Sequence, residues 1–239
     1  MYEVLDLDLE MRVATASSTV TDLSTHALSQ ADVTFEEVED HWERHGVRLC
    51  LGQVEISRLV TGYLVRRWPS GEVLAEHLLD LPATRLRTRA VWWELPDSVT
   101  RGAGLDESRL PGALHAFEHA AIGVLPLLAS CDRGDLGGVS TSLHPQTGTA
   151  VVVVYDGQPG GAGFAARGGQ RVAEWLSITH QAIAGCACST GCPACIQSPK
   201  CGNGNEPLDK AGAIIVARLL HDIAAIPAGQ RSAPNESVA

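Results

Sequence analysis

The opening hundred residues alternate between apolar and polar positions. "YEVLDLDLEMRV" within residues 1–20 has the period of two that predicts one or two strands. "VEISRLVTGYLVRRWPSGEVLAEHLLDL" carries β-branched residues up to the turn "PSGE" and then alternates again, the pattern of a hairpin. "RLRTRAVWWEL" adds a third strand, with Arg85, Arg87 and Arg89 spaced by Leu86 and Thr88. One stretch departs from this period. "TFEEVEDHWERHG" predicts a short acidic helix with Thr34 as N-cap, Glu37 completing a capping box and Gly46 ending it.

Beyond residue 110 the period lengthens. "GALHAFEHAAIGVLPLLAS" predicts a helix bent near Pro126, because proline removes a backbone donor. "DLGGVSTSLH" and "TAVVVVYDG", joined by "PQTG", predict a second hairpin. "PGGAGFAARGGQ" reads as a glycine-rich connector into the helix "RVAEWLSITHQAIA". The last helix is "DKAGAIIVARLLHDIAAI". The fold class is therefore α+β (mixed α/β), with an antiparallel strand-rich first half and a helical second half.

Composition narrows the function. A chain of 239 residues buries a core without help from disulfides. The net charge of −10 is uneven: residues 1–45 carry eleven Asp and Glu against two Lys and Arg, and the remainder seventeen against sixteen. Neutralising phosphate needs a basic surface, so this balance excludes a strong autonomous nucleic-acid binder. No apolar run reaches the roughly 20 residues of a membrane span, so no membrane partner is expected. The acidic N-terminus lacks the basic-then-apolar order of a secretory signal. The expectation is a cytoplasmic (bacterial, nucleoid-associated) protein with reduced thiols.

Five of the seven cysteines, Cys186, Cys188, Cys192, Cys195 and Cys201, fall within sixteen residues among glycines and prolines. Zinc explains this crowding: it takes four ligands tetrahedrally, and thiolate is a preferred donor. A C-x-x-C turn lets two sulfurs reach one ion, and Gly191 and Pro193 suit such a turn. The first ligand set is Cys186, Cys188, Cys192 and Cys195. The alternative set replaces Cys186 by Cys201, because C-x-C on one ion is tight. Four thiolates leave no position for water, so the site reads as one structural Zn²⁺ between the last two helices. An iron–sulfur cluster uses the same donors. A disulfide set fits poorly with an odd count. Cys50 and Cys131 stand alone and read as core residues.

Other motifs compete for attention. "HAFEH" places His115, Glu118 and His119 in an H-x-x-E-H pattern, the alternative of a zinc-dependent hydrolase; helix-packing histidines are the plainer reading. "YDGQPGGAGFAARGG" sits where phosphate loops occur but lacks G-x-x-x-x-G-K-[ST] and fails G-x-G-x-x-G at Ala166, so a tight turn is the expected use. In "ASCDRGDLGG" an Asp–Arg pair among Asp132, Arg133 and Asp135 is expected to fix a turn.

Four stretches carry a more specific signal: "LRTRAVWW", "HAFEHAAIGVLPLLASCDRGDLGGVST", "VYDGQPGGAGFAARG" and "CACSTGCPACIQSPKCGNGNEPLDKAGA". Together they resemble the C-terminal region of mitomycin-repair-factor-A-like superfamily 2 DEAD/DEAH-box DNA helicases, related to the RecQ-like Hrq helicases. The last stretch is the most specific. The resemblance covers most of residues 54–222. It implies a zinc-binding domain of an ATP-dependent 3′–5′ DNA helicase of DNA repair that helps engage the translocating strand. The family's Walker A lysine, DEAD/DEAH acid and arginine finger have no counterpart here, so ATP and Mg²⁺ are expected only in motor domains outside this chain, joined in cis. The expected division is residues 1–53 as an N-terminal strand and acidic-helix segment, 54–227 as the zinc-binding domain and, outside the resemblance, 228–239 ("AGQRSAPNESVA") as a disordered tail. The implied partner is DNA, single-stranded or 3′-tailed. The candidate contacts are Arg66, Arg67, Lys200 and Lys210, with Trp68 for base stacking. A free-standing zinc interaction module is the remaining alternative.

Overall fold

The structure is a computed structural model, and it describes residues 1–8 and 10–224; the expected disordered tail lies outside the described residues. The strands are β1 (Tyr2–Asp8), β2 (Val13–Ser18), β3 (Leu23–Arg44), β4 (Val47–Arg67), β5 (Val73–Leu78), β6 (Thr84–Leu95), β7 (Leu136–Thr141) and β8 (Ala150–Asp156). The helices are α1 (Asp97–Gly102), α2 (Leu110–Val124), α3 (Pro126–Ala129), α4 (Phe164–Gln170), α5 (Val172–Ala184) and α6 (Lys210–Ala224). The expected α+β class holds, with strands first and helices later. The chain divides into two compact units, Met1–Ser29 with Val60–Pro82, and Gln30–Leu59 with the described chain from Ala83.

In the first unit β1 and β2 form a two-stranded antiparallel sheet from Tyr2↔Ser18 to Asp8↔Val13. The end of β4 pairs antiparallel with β5 from Gly62↔Leu78 to Arg66↔Val73, the hairpin expected around "PSGE".

The second unit has strand order β3-β4-β6-β8-β7. β4 and β6 pair from Arg48↔Glu94 to Arg58↔Thr84, and β6 and β8 from Ala90↔Tyr155 to Leu95↔Ala150. Val151 to Val154 are all fully buried, because β8 is a central strand covered on both faces. Successive strand residues point to opposite faces. Trp93 therefore enters the helical side, against Phe117 (ring centroids 5.6 Å) and Trp175 (5.3 Å), while Trp92 stacks on Phe35 (4.5 Å) on the other.

The helical layer is built on α2. It packs against β7 and β8, and α5 and α6 pack on it. A Cβ on Gly212 would lie 2.5 Å from the Cβ of Ala113, so glycine is what lets α6 approach α2 this closely. Asp209 fixes the start of α6: its carboxylate accepts from Gly212 N (2.8 Å) and from the Arg109 guanidinium (2.8 Å). The expected bend at Pro126 separates α2 from α3. The stretch Leu110–Ala129 is, by length and composition, long and apolar enough to cross a bilayer, contrary to the sequence count of apolar runs; here it is mostly buried in the core.

Two expectations are corrected. The acidic helix at 34–46 is strand β3. Phe35, Val38 and Trp42 have helical spacing, but partners distant in sequence decide the outcome. Glu36 meets Arg87 (3.2 Å), Glu39 pairs with Arg89, and Phe35 covers Trp92. His45 and Gly46 have φ of 49° and 80°, the two positive values of a type I′ hairpin turn, so Gly46 reverses a strand rather than ending a helix. The connector "PGGAGFAARGGQ" contains α4, whose Gly168 lies against Leu125 and Trp175. Residue 53, where the sequence reading divides the chain, lies inside β4.

Candidate metal centres

The first centre lies in the loop between α5 and α6. The α5 helix closes at Gly185, whose N–H donates to Gln181 O, and Cys186 follows at once. The C-x-x-C segment turns back on itself: the N–H groups of Cys195 and Ile196 both donate to Cys192 O (3.0 and 3.1 Å). Ile196, fully buried, plugs the turn into the core. This geometry brings four sulfurs together. Sγ distances are 3.6 Å for Cys186–Cys188, 3.5 Å for Cys186–Cys192, 3.5 Å for Cys188–Cys195 and 3.8 Å for Cys192–Cys195. A tetrahedron with Zn–S bonds of about 2.3 Å has S–S edges of ~3.8 Å, so donor type and spacing both fit zinc.

Lys210, the first residue of α6, is only 7 % exposed. Its ammonium donates to Cys186 O (2.7 Å) and Cys188 O (2.5 Å) and approaches Cys188 Sγ at 3.4 Å. Burial raises the Cys188 thiol, but hydrogen bonds from Cys195, Cys186 and Lys210 outweigh it and draw the group down to about 6. Burial pushes Cys195 the other way, up to about 12. A divalent ion held by these sulfurs would deprotonate them outright, as a coordinating thiol is.

Cys201 lies apart from this set, and the Cys186 sulfur stands at the fourth corner. Cys201 lies instead with His115 and His119, one ring nitrogen of each histidine and the sulfur being within 4.8 Å of one another. The histidines are i and i+4 on α2, and their rings meet at a centroid distance of 4.4 Å. The His115 Nδ1 contacts Pro207 O (2.9 Å), the His119 Nδ1 contacts Ile196 O (2.8 Å), and the His115 Nε2 is 3.4 Å from Cys201 Sγ. Asn205 N donates to the same sulfur (3.2 Å). Burial raises the Cys201 thiol, but His119 and the N–H groups of Asn205 and Asn203 bring it below its ordinary value.

Glu118 faces elsewhere. Its buried carboxylate accepts from Ser140 Oγ on β7 (2.7 Å), and burial pushes it up to about 7. The H-x-x-E-H reading is corrected accordingly: the histidines come together with a cysteine, not with the glutamate as general base. Two signals in the sequence pointed to this arrangement, five thiols for four positions and two histidines one turn apart.

Against known proteins, the model of the MrfA Zn-binding domain matches residues 117–196, from the middle of α2 to the end of the C-x-x-C turn. The uncharacterized protein MJ1572.1 of Methanocaldococcus jannaschii is 37% identical over 111 residues, 45% of this chain and 99% of that protein. The chain belongs to the MrfA zinc-binding domain family. The uncharacterized ATP-dependent helicase YprA of Bacillus subtilis is 27% identical over 195 residues, 82% of this chain and 26% of YprA. The ATP-dependent helicase HRQ1 of Saccharomyces cerevisiae is 21% identical over 232 residues, 92% of this chain and 21% of HRQ1. The chain thus spans about a quarter of YprA and a fifth of HRQ1. The crystal structure of DUF1998 helicase MrfA bound to DNA shares the fold, with a TM-score of 0.64 at 24% identity over 92% of this chain and 28% of that one.

The expected DNA contacts of this MrfA zinc-binding domain meet different fates. Lys210 is buried and its ammonium is spent on the knuckle carbonyls; its position beside the cluster was the available signal. Arg67 is shared by Asp22 (3.4 Å) and Glu72 (2.9 Å). Arg66 is half-buried. Trp68 is 68% exposed at the β4–β5 turn. Lys200 is exposed, and its ammonium donates to Gly134 O (3.1 Å).

The glycine loop holds an anion of its own. The buried Asp156 carboxylate accepts from the N–H groups of Ala162, Gly163 and Ala165, each at 2.7 Å, and Gly163, at φ 88°, shapes the turn into α4. The place a phosphate would take is filled by the chain, so the loop is a tight structural turn, as expected. At 132–135 the turn is closed by a reciprocal capping box between Asp132 and Asp135, in place of the expected Asp–Arg pair.

Proposed function

We propose that this domain is the zinc-stabilised, strand-engaging part of an ATP-dependent 3′–5′ DNA helicase of DNA repair, holding one structural zinc on Cys186, Cys188, Cys192 and Cys195. The observation that carries the proposal is the tetrahedral spacing of four sulfurs within the segment matched by the MrfA Zn-binding domain. Zinc, when bound, supplies a closed cross-link with no position for water. The chain does the rest. Cys186 fastens the end of α5, Cys192 and Cys195 fasten the turn plugged by Ile196, and Lys210 ties the start of α6 to the same loop while offsetting thiolate charge. The helical layer on the sheet is thereby held as one surface.

ATP and Mg²⁺ belong to motor domains joined in cis, in keeping with the helicase names of YprA and HRQ1. DNA as the partner, single-stranded or 3′-tailed, is in keeping with the DNA-bound MrfA structure. Trp68 and Lys200 are the exposed groups best suited to a strand, one by stacking and one by charge. The acidic balance makes binding by this chain alone weak and salt-sensitive.

Two measurements test the proposal. Elemental analysis should find zinc, and a Cys188→Ala variant should lose it from the four-thiolate site. Fluorescence anisotropy with a 3′-tailed oligonucleotide should show weak binding that falls as salt rises and weakens in Trp68→Ala. Tight binding indifferent to salt, or zinc unchanged in Cys188→Ala, would overturn it.

A further inference from the structure

We infer that His115, His119 and Cys201 form a second metal site, independent of the four-thiolate centre, that takes a borderline divalent ion of the zinc type and leaves one coordination position to water. Imidazole and thiolate together suit zinc, and neither suits Mg²⁺ or Ca²⁺. The spacing agrees: with Zn–N of about 2.0 Å and Zn–S of about 2.3 Å, a tetrahedral N–S edge is ~3.5 Å. The separation of His115 Nε2 from Cys201 Sγ is 3.4 Å.

The surroundings prepare all three donors. Both histidines turn Nδ1 to a backbone carbonyl, of Pro207 and of Ile196. A carbonyl only accepts, so Nδ1 carries a proton, and in the neutral ring this leaves on Nε2 the lone pair that binds metal. A ligand histidine whose other nitrogen donates to a carbonyl is the usual outer-shell arrangement of a metal site. Asn205 N donates to Cys201 Sγ, as suits a thiolate. Asn205 is held in turn by Ser198, whose N–H donates to its Oδ1 (2.7 Å) and whose carbonyl accepts from its Nδ2 (3.0 Å), so the loop that presents Cys201 is braced. His119 and Cys201 are buried, while His115 is half-buried and lies toward solvent.

Among the described residues the cluster offers three ligands, and the fourth position falls to water. Glu118, on Ser140, is not aimed at that water, so the arrangement is not the protease site that H-x-x-E-H suggests. An ion there would pin the loop from Ile196 to Pro207 onto α2. With one thiolate against four, it should bind more weakly than the neighbouring centre and leave first under a chelator.

The test is metal stoichiometry of the 239-residue chain, with Co²⁺ as a spectroscopic probe. Metal-free protein titrated with Co²⁺ should take up two equivalents. The first should give intense thiolate-to-cobalt charge transfer, and the second a tetrahedral spectrum with the intensity of a single thiolate. Zinc content should fall from two equivalents to one in Cys201→Ala and in His119→Gln, with the four-thiolate spectrum intact. A wild-type chain that binds a single equivalent, with or without variants, sinks the second site and leaves the four-thiolate proposal standing. Two equivalents that survive Cys201→Ala also sink it. Loss of the strong spectrum alone would count against the first centre only.

Discussion

On β6, Trp92 and Trp93 are fully buried, each on its own face of the sheet. On β1, whose alternation breaks at a register shift between Val4 and Asp6, Tyr2, Val4 and Leu7 all stay more than half exposed. Both segments are strands with ladder partners. They differ in what lies over them: one carries a helical layer and a covered reverse face, the other a single neighbouring strand. Period-two patterning secures the strand conformation in both, but burial decides how much each residue is worth. Mutations should therefore divide sharply between the unit that contains β6 and the unit that contains β1.

The largest effect belongs to the metal. Replacing Cys188 by Ala should release the four-thiolate zinc and loosen α5 and α6, since metal binding at such sites is coupled to folding with an apparent strength on the order of 10 kcal/mol. Helical circular dichroism should fall and zinc should be lost together, and a chelator should do the same to the wild type. A melting curve and helix content unchanged after zinc removal would show that the core holds these helices unaided. Next is the core itself. Trp93→Ala removes a ring packed on Phe117 and Trp175 and should destabilise by about 3–5 kcal/mol in denaturant unfolding. A loss below about 1 kcal/mol would mean the layer collapses onto the gap.

Lys210→Met should come third. It preserves the apolar stem but strips the donor from the carbonyls of Cys186 and Cys188, at about 1–3 kcal/mol for the groups left unpaired. Zinc should also pass to a chelator several-fold faster, since the ammonium near Cys188 Sγ no longer offsets thiolate charge. Unchanged release would restrict Lys210 to bracing the loop.

What could be read in advance follows the same division. The β4–β5 hairpin, β6, α2, α5 and α6 were legible because their periodicity and turn residues are local. The four-thiolate set was legible because its ligands lie within ten residues. β3 was not, because Glu36, Glu39 and Phe35 are stabilised as a strand by Arg87, Arg89 and Trp92, some fifty residues away. α4 was hidden because glycines that admit Trp175 and Val91 look like connector residues. The grouping of Cys201 with His115 and His119 joins a loop to a helix more than eighty residues earlier, so each half was visible and the pairing was not.

The smallest effect is the sharpest check on the comparison. Leu7 on β1 pairs with Ala14 and is 60% exposed. Val153 on β8 pairs with Val139 and is fully buried. A serine at either position keeps the ladder hydrogen bonds, so only the side chain is tested. Val153→Ser should destabilise by about 2 kcal/mol or more, because it opens a cavity and buries a hydroxyl. Leu7→Ser should stay within about 0.5 kcal/mol, the usual range for surface substitutions. Because a lone two-stranded hairpin is marginal in water, its local opening should also be visible as rapid amide exchange in β1 and slow exchange in β8. If Leu7→Ser instead cost more than 1 kcal/mol, or β1 exchanged as slowly as β8, the apolar side chains of β1 would have to be covered in solution, and the contrast between the two strands would fail.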